Sequence, residues 1–435
     1  MNRRDIFLTI GGSDPSAGAG IQADLKTFQV MGEYGASVVT SITSQNTSGF
    51  SGRYDLPPAI IQSQIQAIVE DMTIAAVKIG MVGSGAAIRT IAGELSTIEA
   101  PVFLDPVILS TTGGQLLDRD SIDLLKEELV SIAYLVIPNA KEAEILTGRS
   151  GADAARELSR LGAANVIITG GDTEGTDLLL DEEGNLSLIG EGLEVVEGNF
   201  HGTGCTYTSS IAVNIVRGMN LLDAAESAKR FVMEGIIDAY PVGYGLIPVN
   251  QSARLIRTSN RYLVIEDVKN AVCRLLDHRI TRLLPEVGSN LAVAIPNAKG
   301  KEDVAAVRGR IVKCGNAAVQ VGPVEFGASD HIARIVLSMM RFDPDMRACC
   351  NIRYSDEIID VASSIEFLSG SFSREDEPEG VNTMDWGVTS VIKEYGCIPD
   401  LIYDKGGIGK EAMIRVTGKS GTEVTSKIIK LLEAL

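Results

Sequence analysis

The ligands for zinc are scarce and badly spaced in this chain. Six cysteines and three histidines are scattered through 435 residues. No CxxC spacing occurs, and the adjacent Cys349-Cys350 do not supply one, so the usual framework of a zinc site is lacking. Also lacking is any apolar run long enough to span a bilayer. Positive charge is in deficit: 39 Lys and Arg against 57 Asp and Glu give a formal charge of −18. That balance argues against nonspecific binding to nucleic acid or anionic membrane, but not against small anionic substrates, which respond to local charge. The opening Met-Asn-Arg-Arg-Asp runs directly into the strand-like "IFLTI", with no signal-peptide pattern. With scattered cysteines, this predicts a reduced, cytoplasmic setting.

What is present is a globular chain, 45% hydrophobic, and too long for one ordinary core, so two domains are expected. Over residues 6–190, short β-rich runs alternate with helical stretches. "IFLTIGGSD", "ASVVTSITSQN", "AAVKIGMVG", "PVFLDPVIL", "AYLVIPN" and "NVIITGGD" read as buried strands, and "AIIQSQIQAIVEDM" as an amphipathic helix. The alternation predicts an α/β fold with a mainly parallel sheet covered on both faces, its ligands beyond the carboxyl ends of the strands. "TDLLLDEEGNLSLIG" breaks the alternation and predicts a hairpin at the sheet edge. Composition shifts in "PVGYGLIPVNQS", which places a boundary around Gln251–Asn260. A helical pattern follows from Tyr262 to Leu284, and the second half then alternates with its own glycine punctuation.

Several stretches of the first half carry chemistry. "GGSDPSAGAGIQADLKTF" is a strand, a Gly- and Ala-dense turn and a helix, which reads either as close backbone approach to a ligand or as a plain β–α turn. Asp24, inside that helix, is either a substrate contact or a solvated face residue. In "PNAKEAEILTG", Asn139 and Glu142 share one face of a helix start. They are placed to hold a hydrated magnesium ion, or to form an ordinary capping box. Asp105, in "FLDPV", is a second oxygen donor. "ITGG", with Thr169 and Gly171, ends a strand where a nucleotide could pass. In "HGTGCT", Gly202, Thr203 and Gly204 lead into a helix near Cys205, whose first N–H groups and dipole read as an anion hole for a moving phosphoryl group, or else as a tight helix start with no ligand.

Together these motifs resemble the hydroxymethylpyrimidine/phosphomethylpyrimidine kinases of thiamin biosynthesis, within the ribokinase-like superfamily. The resemblance covers residues 6–250 and implies a three-layer sandwich for the domain spanning 1–256. It implies that Gly12, Gln45 and Val107 contact the aminopyrimidine, that Asp105 and Glu142 serve Mg2+, and that Gly202–Cys205 form the anion hole for ATP-dependent transfer. Many ribokinase-like relatives carry Asp as base where this chain carries Cys205. The family phosphorylates one hydroxymethyl arm twice. The first nucleophile is an alcohol, which a base helps; the second is a phosphate monoester, mostly dianionic at neutral pH, which a fixed carboxylate would repel. A thiol tolerates that phosphate, and at a helix N-terminus its pKa is expected to fall enough for it to serve as base in the first step.

In the second half, Arg310, Arg334, Arg347, Arg353, Lys405, Lys410 and Arg415 lie among glycines and strand ends, as expected for diphosphate recognition in part and for surface salt bridges in part. "SDHIARIVLSMM" reads as a capped helix start with His331 in its first turn. "DKGGIGK" lacks P-loop spacing and precedes a strand, which excludes a P-loop NTPase. Residues 262–435 resemble the archaeal-type thiamin-phosphate synthase domain, a smaller α/β domain that joins the pyrimidine diphosphate to thiazole phosphate. The resemblance assigns catalysis to Arg310 in "RGRIVK" and His331 in "GASDHIAR". It also implies small-molecule substrates and a dimer or higher homo-oligomer, with no nucleic acid or membrane partner. Two rivals stand beside this bifunctional reading: a thiamin-phosphate-sensing regulatory domain in place of the synthase, and a kinase acting on pyridoxal.

Overall fold

The computed structural model describes residues 4–109, 114–170, 175–193, 196, 198–374, 383–407 and 409–435. The chain divides into two compact units, Met1–Leu255 and Ile256–Leu435.

In the first unit the strands are β1 (Ile6–Ser13), β2 (Gly35–Asn46), β3 (Gly49–Asp55), β4 (Ile74–Ile79), β5 (Val102–Leu104), β6 (Leu135–Val136), β7 (Asn165–Ile168), β8 (Asp177–Leu180), β9 (Leu186–Ile189), β10 (Phe200–His201) and β11 (Ile247–Pro248). The first nine of these, among the described residues, form one sheet in the order β3-β2-β1-β4-β5-β6-β7-β8-β9. Strands β2, β1, β4, β5, β6 and β7 are mutually parallel, as their continuous apolar runs require of strands buried on both faces. The expected hairpin is present as antiparallel β8–β9 at one edge. At the other edge is antiparallel β3, which follows an Asx turn where Asn46 Oδ1 accepts the N–H groups of Ser48 and Gly49.

The helices of this unit are α1 (Gly20–Val30), α2 (Pro58–Val69), α3 (Gly85–Leu95), α4 (Ile122–Glu128), α5 (Ala140–Thr147), α6 (Gly151–Arg160), α7 (Thr203–Val216) and α8 (Leu221–Ile237). Strand alternation divides the core. Leu8, Ile10 and Leu104 face one core with side chains from α2 to α6, whereas Phe7, Phe103 and Ile167 face another with α1, α7 and α8. The Phe7 and Phe28 rings lie 5.2 Å apart and fasten α1 to the sheet. The result is a three-layer sandwich with the carboxyl ends of six parallel strands at one edge.

α9 (Ala253–Asp277) begins before the expected Tyr262, and a short 3-10 turn at Ile280–Leu283 replaces its expected last turns. Its buried stripe of Val264, Val268, Val272 and Leu275 is helical in period, while the preceding turns are mostly solvated and carry little apolar signal. In the second unit the strands are β12 (Leu291–Ala294), β13 (Val304–Val307), β14 (Ile311–Cys314), β15 (Ala317–Gln320), β16 (Val324–Phe326), β17 (Ala348–Arg353), β18 (Ser369–Ser371), β19 (Leu401–Asp404) and β20 (Met413–Gly418). Its described helices continue with α10 (Asp330–Met340), α11 (Asp356–Ser364), α12 (Thr383–Tyr395) and α13 (Gly421–Ala434). Seven strands form a sheet in the order β16-β13-β12-β17-β20-β19-β18, antiparallel except for β18–β19. α9, α11 and α13 cover one face, and α10 and α12 the other.

Candidate active sites

In the first unit, two glycine turns meet at the carboxyl edge of the sheet. Gly20 (φ +60°) opens α1 so close to β1 that an added Cβ would stand 2.4 Å from the Gly12 carbonyl oxygen. Gly202 (φ +84°) precedes α7, and a Cβ there would stand 1.9 Å from the Gly18 carbonyl oxygen. No L side chain fits either contact without moving backbone. Asp14 fixes the first turn: it accepts hydrogen bonds from Ser16 N–H at 2.8 Å and Ala19 N–H at 2.9 Å, and pairs with His201 Nε2 at 3.2 Å. Burial works against the charged carboxylate, but bonds from His201, Ser16 and Gln45 hold Asp14 below the usual carboxylate range.

The first helical bond of α7 runs from Thr206 N–H to the Gly202 carbonyl at 3.0 Å. The N–H groups of Thr203, Gly204 and Cys205 therefore precede the helical ladder, and the positive end of the dipole points with them. A Cβ on Gly204 would lie 3.7 Å from Asp105 Oδ2, so the helix start overhangs that carboxylate. A cavity of about 420 Å3 is lined by these turns, Asp105 and Glu142.

The floor of the cavity is charged. Lys78, 1% exposed, donates to Asp24 Oδ2 at 3.1 Å and lies 3.7 Å from Asp105 Oδ2. Burial opposes its charge, but its interactions with Asp24, Cys205 and Asp105 outweigh that and raise its pKa. Asp24 also accepts from Thr9 Oγ1 at 2.6 Å and Ser209 Oγ at 2.8 Å, so it ties β1, β4 and α7 to α1. It is a buried cavity-lining residue and not part of a solvated helix face. Burial, with only partial compensation from Lys78, lifts Asp105 to about 6. Burial and the Asp105 charge lift Glu142 to about 8. The capping box is formed, with Asn139 Oδ1 accepting Glu142 N–H at 2.9 Å and Glu142 Oε2 accepting Asn139 N–H at 3.0 Å. It coexists with a carboxylate that lines the cavity.

The structure brings Gly12, Asp24, Gln45, Asp105, Val107, Asn139, Glu142, Thr169, Gly202, Thr203, Gly204 and Cys205 to this one cavity. Gly171 lies outside the described residues. The expectation for the thiol is corrected: Cys205 is half-buried at the cavity wall, and burial pushes it up to about 12. Lys78 lowers it, but Asp24 and Asp105 add to the rise. Asp14, one of the polar strand tips expected to gather at the ligand end of the sheet, lines this cavity; sequence reasoning did not single out Lys78 or His201. A lysine inside the apolar run "AAVKIGM" is the signal that was available for Lys78.

Among the described residues no group of three or more His, Cys, Asp or Glu side chains gathers as a metal cage. Two buried carboxylates with raised pKa values beside an anion hole fit Mg2+, which keeps several waters and takes one or two carboxylates plus substrate phosphates.

In the second unit, His331 occupies the first turn of α10, as expected, although its N-cap Ser329 makes no side-chain cap bond. The ring reaches the surface, but the protein crowded around it and the charges of Arg415, Arg374 and Arg310 lower the imidazole to about 4, so it is neutral at rest. Arg310 follows β13 in the left-handed region (φ +74°), a conformation costly for a non-glycine residue, and donates to the Val287 carbonyl at 2.6 Å. Arg415 is buried on β20 and donates to Asp404 Oδ2 at 2.7 Å, and Arg374 pairs with the same carboxylate. Of the other cations, Arg334 pairs with Asp330, Arg347 donates to the Ala294 carbonyl and Arg353 to the Arg282 carbonyl. "DKGGIGK" leads into β20, not a helix.

A parallel sheet ending in a glycine-cradled helix N-terminus over buried carboxylates defines the first unit as a ribokinase-like small-molecule kinase. Residues 14–250 match the phosphomethylpyrimidine kinase family, and residues 267–430 the thiamine-phosphate synthase ThiN family. The chain is 36% identical to the bifunctional thiamine biosynthesis protein ThiDN of Methanocaldococcus jannaschii over 97% of both chains. It is 38% identical to the hydroxymethylpyrimidine/phosphomethylpyrimidine kinase of Bacillus subtilis, over 57% of this chain and 94% of that one. The ADP complex of Bacillus subtilis pyridoxal kinase is similar at 29% identity and TM-score 0.53, over 58% of this chain and 98% of that one. Pyridoxal kinase from Staphylococcus aureus with AMP-PCP and pyridoxal is similar at 28% identity and TM-score 0.51, over 58% and 95%. The chain belongs to the family of bifunctional thiamin-biosynthesis proteins in which a phosphomethylpyrimidine kinase precedes a thiamin-phosphate synthase.

Proposed function

We propose that residues 1–256 phosphorylate 4-amino-5-hydroxymethyl-2-methylpyrimidine with ATP, first to the monophosphate and then to the diphosphate, and that residues 262–435 couple this diphosphate to thiazole phosphate. The chain is an enzyme of thiamin biosynthesis with kinase and synthase activities. The observation that carries the kinase reading is the α7 N-terminus set over Asp105 and Lys78. Backbone N–H groups of Gly202–Cys205 stabilise the moving phosphoryl group without reorganising. Gly12, Gln45 and Val107 hold the pyrimidine with Asp24 at the floor, while Asn139 and Thr169 line the nucleotide side. Asp105 and Glu142 would hold Mg2+, which would supply positive charge to offset that of the nucleotide phosphates. Cys205, protonated at rest, acts in the alcohol step through its thiolate, a minor species at neutral pH. Its neutral form accepts the dianionic monophosphate in the second step.

In the synthase half, Arg310 and His331 receive the charge of the departing pyrophosphate. A neutral His331 donates one N–H and gains a proton only as anionic charge builds beside it. We place the enzyme in the cytoplasm as a dimer or higher oligomer acting on small molecules. The test of the kinase reading is incubation with ATP, Mg2+ and the hydroxymethylpyrimidine, with pyridoxal as competitor, followed by mass analysis. Sequential appearance of mono- and diphosphate is expected. Phosphorylation of pyridoxal alone would overturn the substrate assignment.

A further inference from the structure

The second unit contains an arginine that its sequence motifs do not single out. Arg374, after β18, donates through Nε to Asp404 Oδ1 at 2.6 Å and through Nη2 to Asp404 Oδ2 at 3.1 Å, a side-on pair with the arginine side chain 11% exposed. Asp404 is fully buried and held from two further sides. Arg415 Nη2 donates to Oδ2 at 2.7 Å, and Gly406 N–H to Oδ1 at 2.9 Å. Strand alternation explains where this cluster stands. Ile414 and Val416 face the core shared with α9 and α13, so Arg415 between them faces α10 and α12. Asp404 lies two residues beyond Ile402, which packs on that same side. The Arg415 guanidinium stacks 5.3 Å from the Phe372 ring. His331 opens α10 on this side, within the electrostatic reach of Arg310, Arg374 and Arg415.

A buried ion pair adds little stability over a well-packed apolar pair, so its geometry is the part that needs a purpose. Arg374 commits Nε and Nη2 to Asp404, and its Nη1 has no partner among the described residues. We propose that Asp404, clamped by Arg415, is a positioning residue that presents the outer edge of Arg374 to the diphosphate of the synthase substrate, beside Arg310 and His331. The inference rests on the synthase reading given above. In that reaction the bond from the pyrimidine methylene carbon to the diphosphate oxygen breaks. The oxygen leaves with the electron pair as pyrophosphate, and the thiazole nitrogen lone pair forms the new bond to carbon. Negative charge grows on the leaving oxygens, where a planar guanidinium held by its far edge is suited to meet it.

The test uses the full chain supplied with the pyrimidine diphosphate and thiazole phosphate, with inorganic pyrophosphate as inhibitor. Arg374→Gln is expected to raise KM for the diphosphate and Ki for pyrophosphate by roughly 10–100-fold, with KM for thiazole phosphate unchanged. Asp404→Asn should shift the same two constants by less, because Arg374 remains but is no longer held. Arg374→Lys keeps the charge and loses the planar edge, and should fall between. Fluorescence of Trp386, the sole tryptophan, reports whether each variant keeps this unit folded. Unchanged pyrophosphate inhibition in Arg374→Gln, or equal rises in both KM values in a folded Arg374→Lys, overturns the inference alone. A wild-type chain that forms no thiamin phosphate removes the synthase reading with it.

Discussion

Lys78 and Asp24 form an ion pair at 3.1 Å with both side chains 1% exposed. The pair joins β4 to α1 beneath the anion hole, and Ser209 extends it to α7. Removing one member leaves a buried charge without its partner. Lys78→Met is expected to destabilise the kinase unit by about 3–5 kcal/mol, and Lys78→Met with Asp24→Leu to recover most of that loss. Denaturant unfolding of the three proteins checks this. A double variant no more stable than the single would show that the pair is not the cause.

Cation binding and pH are linked through Asp105 and Glu142. Both are raised by burial, to about 6 and about 8, so in the metal-free fold both bind protons that the unfolded chain releases earlier. Their contribution to stability is full below the ordinary carboxylate range and is lost as pH rises through those values. Metal-free stability should therefore fall from about pH 4 to about pH 8. Mg2+ with nucleotide should flatten that slope and bind more tightly as pH rises, with proton release. Calorimetry in buffers of different ionisation enthalpy measures the protons. A pH-independent affinity with no proton release would remove these carboxylates from the metal site.

Much of the first site is legible in the sequence because it is written in local turn chemistry. The glycines before α1 and α7, the Asn139–Glu142 capping box and the edge hairpin each depend on residues a few positions apart. Lys78 was not legible in this way, since a lysine reads as solvated until α1 and the segment after β5 bring Asp24 and Asp105 to it. The Cys205 pKa failed for the same reason: its helix start is local, but its burial and carboxylate neighbours are tertiary. β3 was missed because "GFSGRYD" has little apolar alternation and pairs at an edge. In the second unit, Arg310 and His331 stand in recognisable motifs, whereas Arg374 meets Asp404 thirty residues away.

Cys205 separates the two phosphorylations. With the thiol held up at about 12, the alcohol step should gain rate with pH across the neutral and alkaline range, and the monophosphate step should not. Cys205→Ala should slow the alcohol step by roughly 10²-fold or more and the second step far less. Cys205→Asp should keep some alcohol activity and impair the second step by repulsion. Single-turnover rates with saturating ATP decide the matter. Equal losses in both steps for the alanine variant would leave Cys205 as packing only.

Arg310→Ala and His331→Ala should each reduce coupling, by about 10²–10³ for the arginine, while both kinase steps stay at wild-type rates. The assay supplies saturating pyrimidine diphosphate. Normal coupling in both variants would place the synthase site elsewhere.

On the proposed function, one chain carries the pyrimidine from alcohol to thiamin phosphate. The direct measurement is a single incubation of the purified full chain with hydroxymethylpyrimidine, ATP, Mg2+ and thiazole phosphate, following ADP, pyrophosphate and thiamin phosphate together. The expected result is thiamin phosphate and pyrophosphate in equal amounts, with two ADP for each. Accumulation of the pyrimidine diphosphate with no thiamin phosphate, thiazole phosphate being in excess, would contradict it.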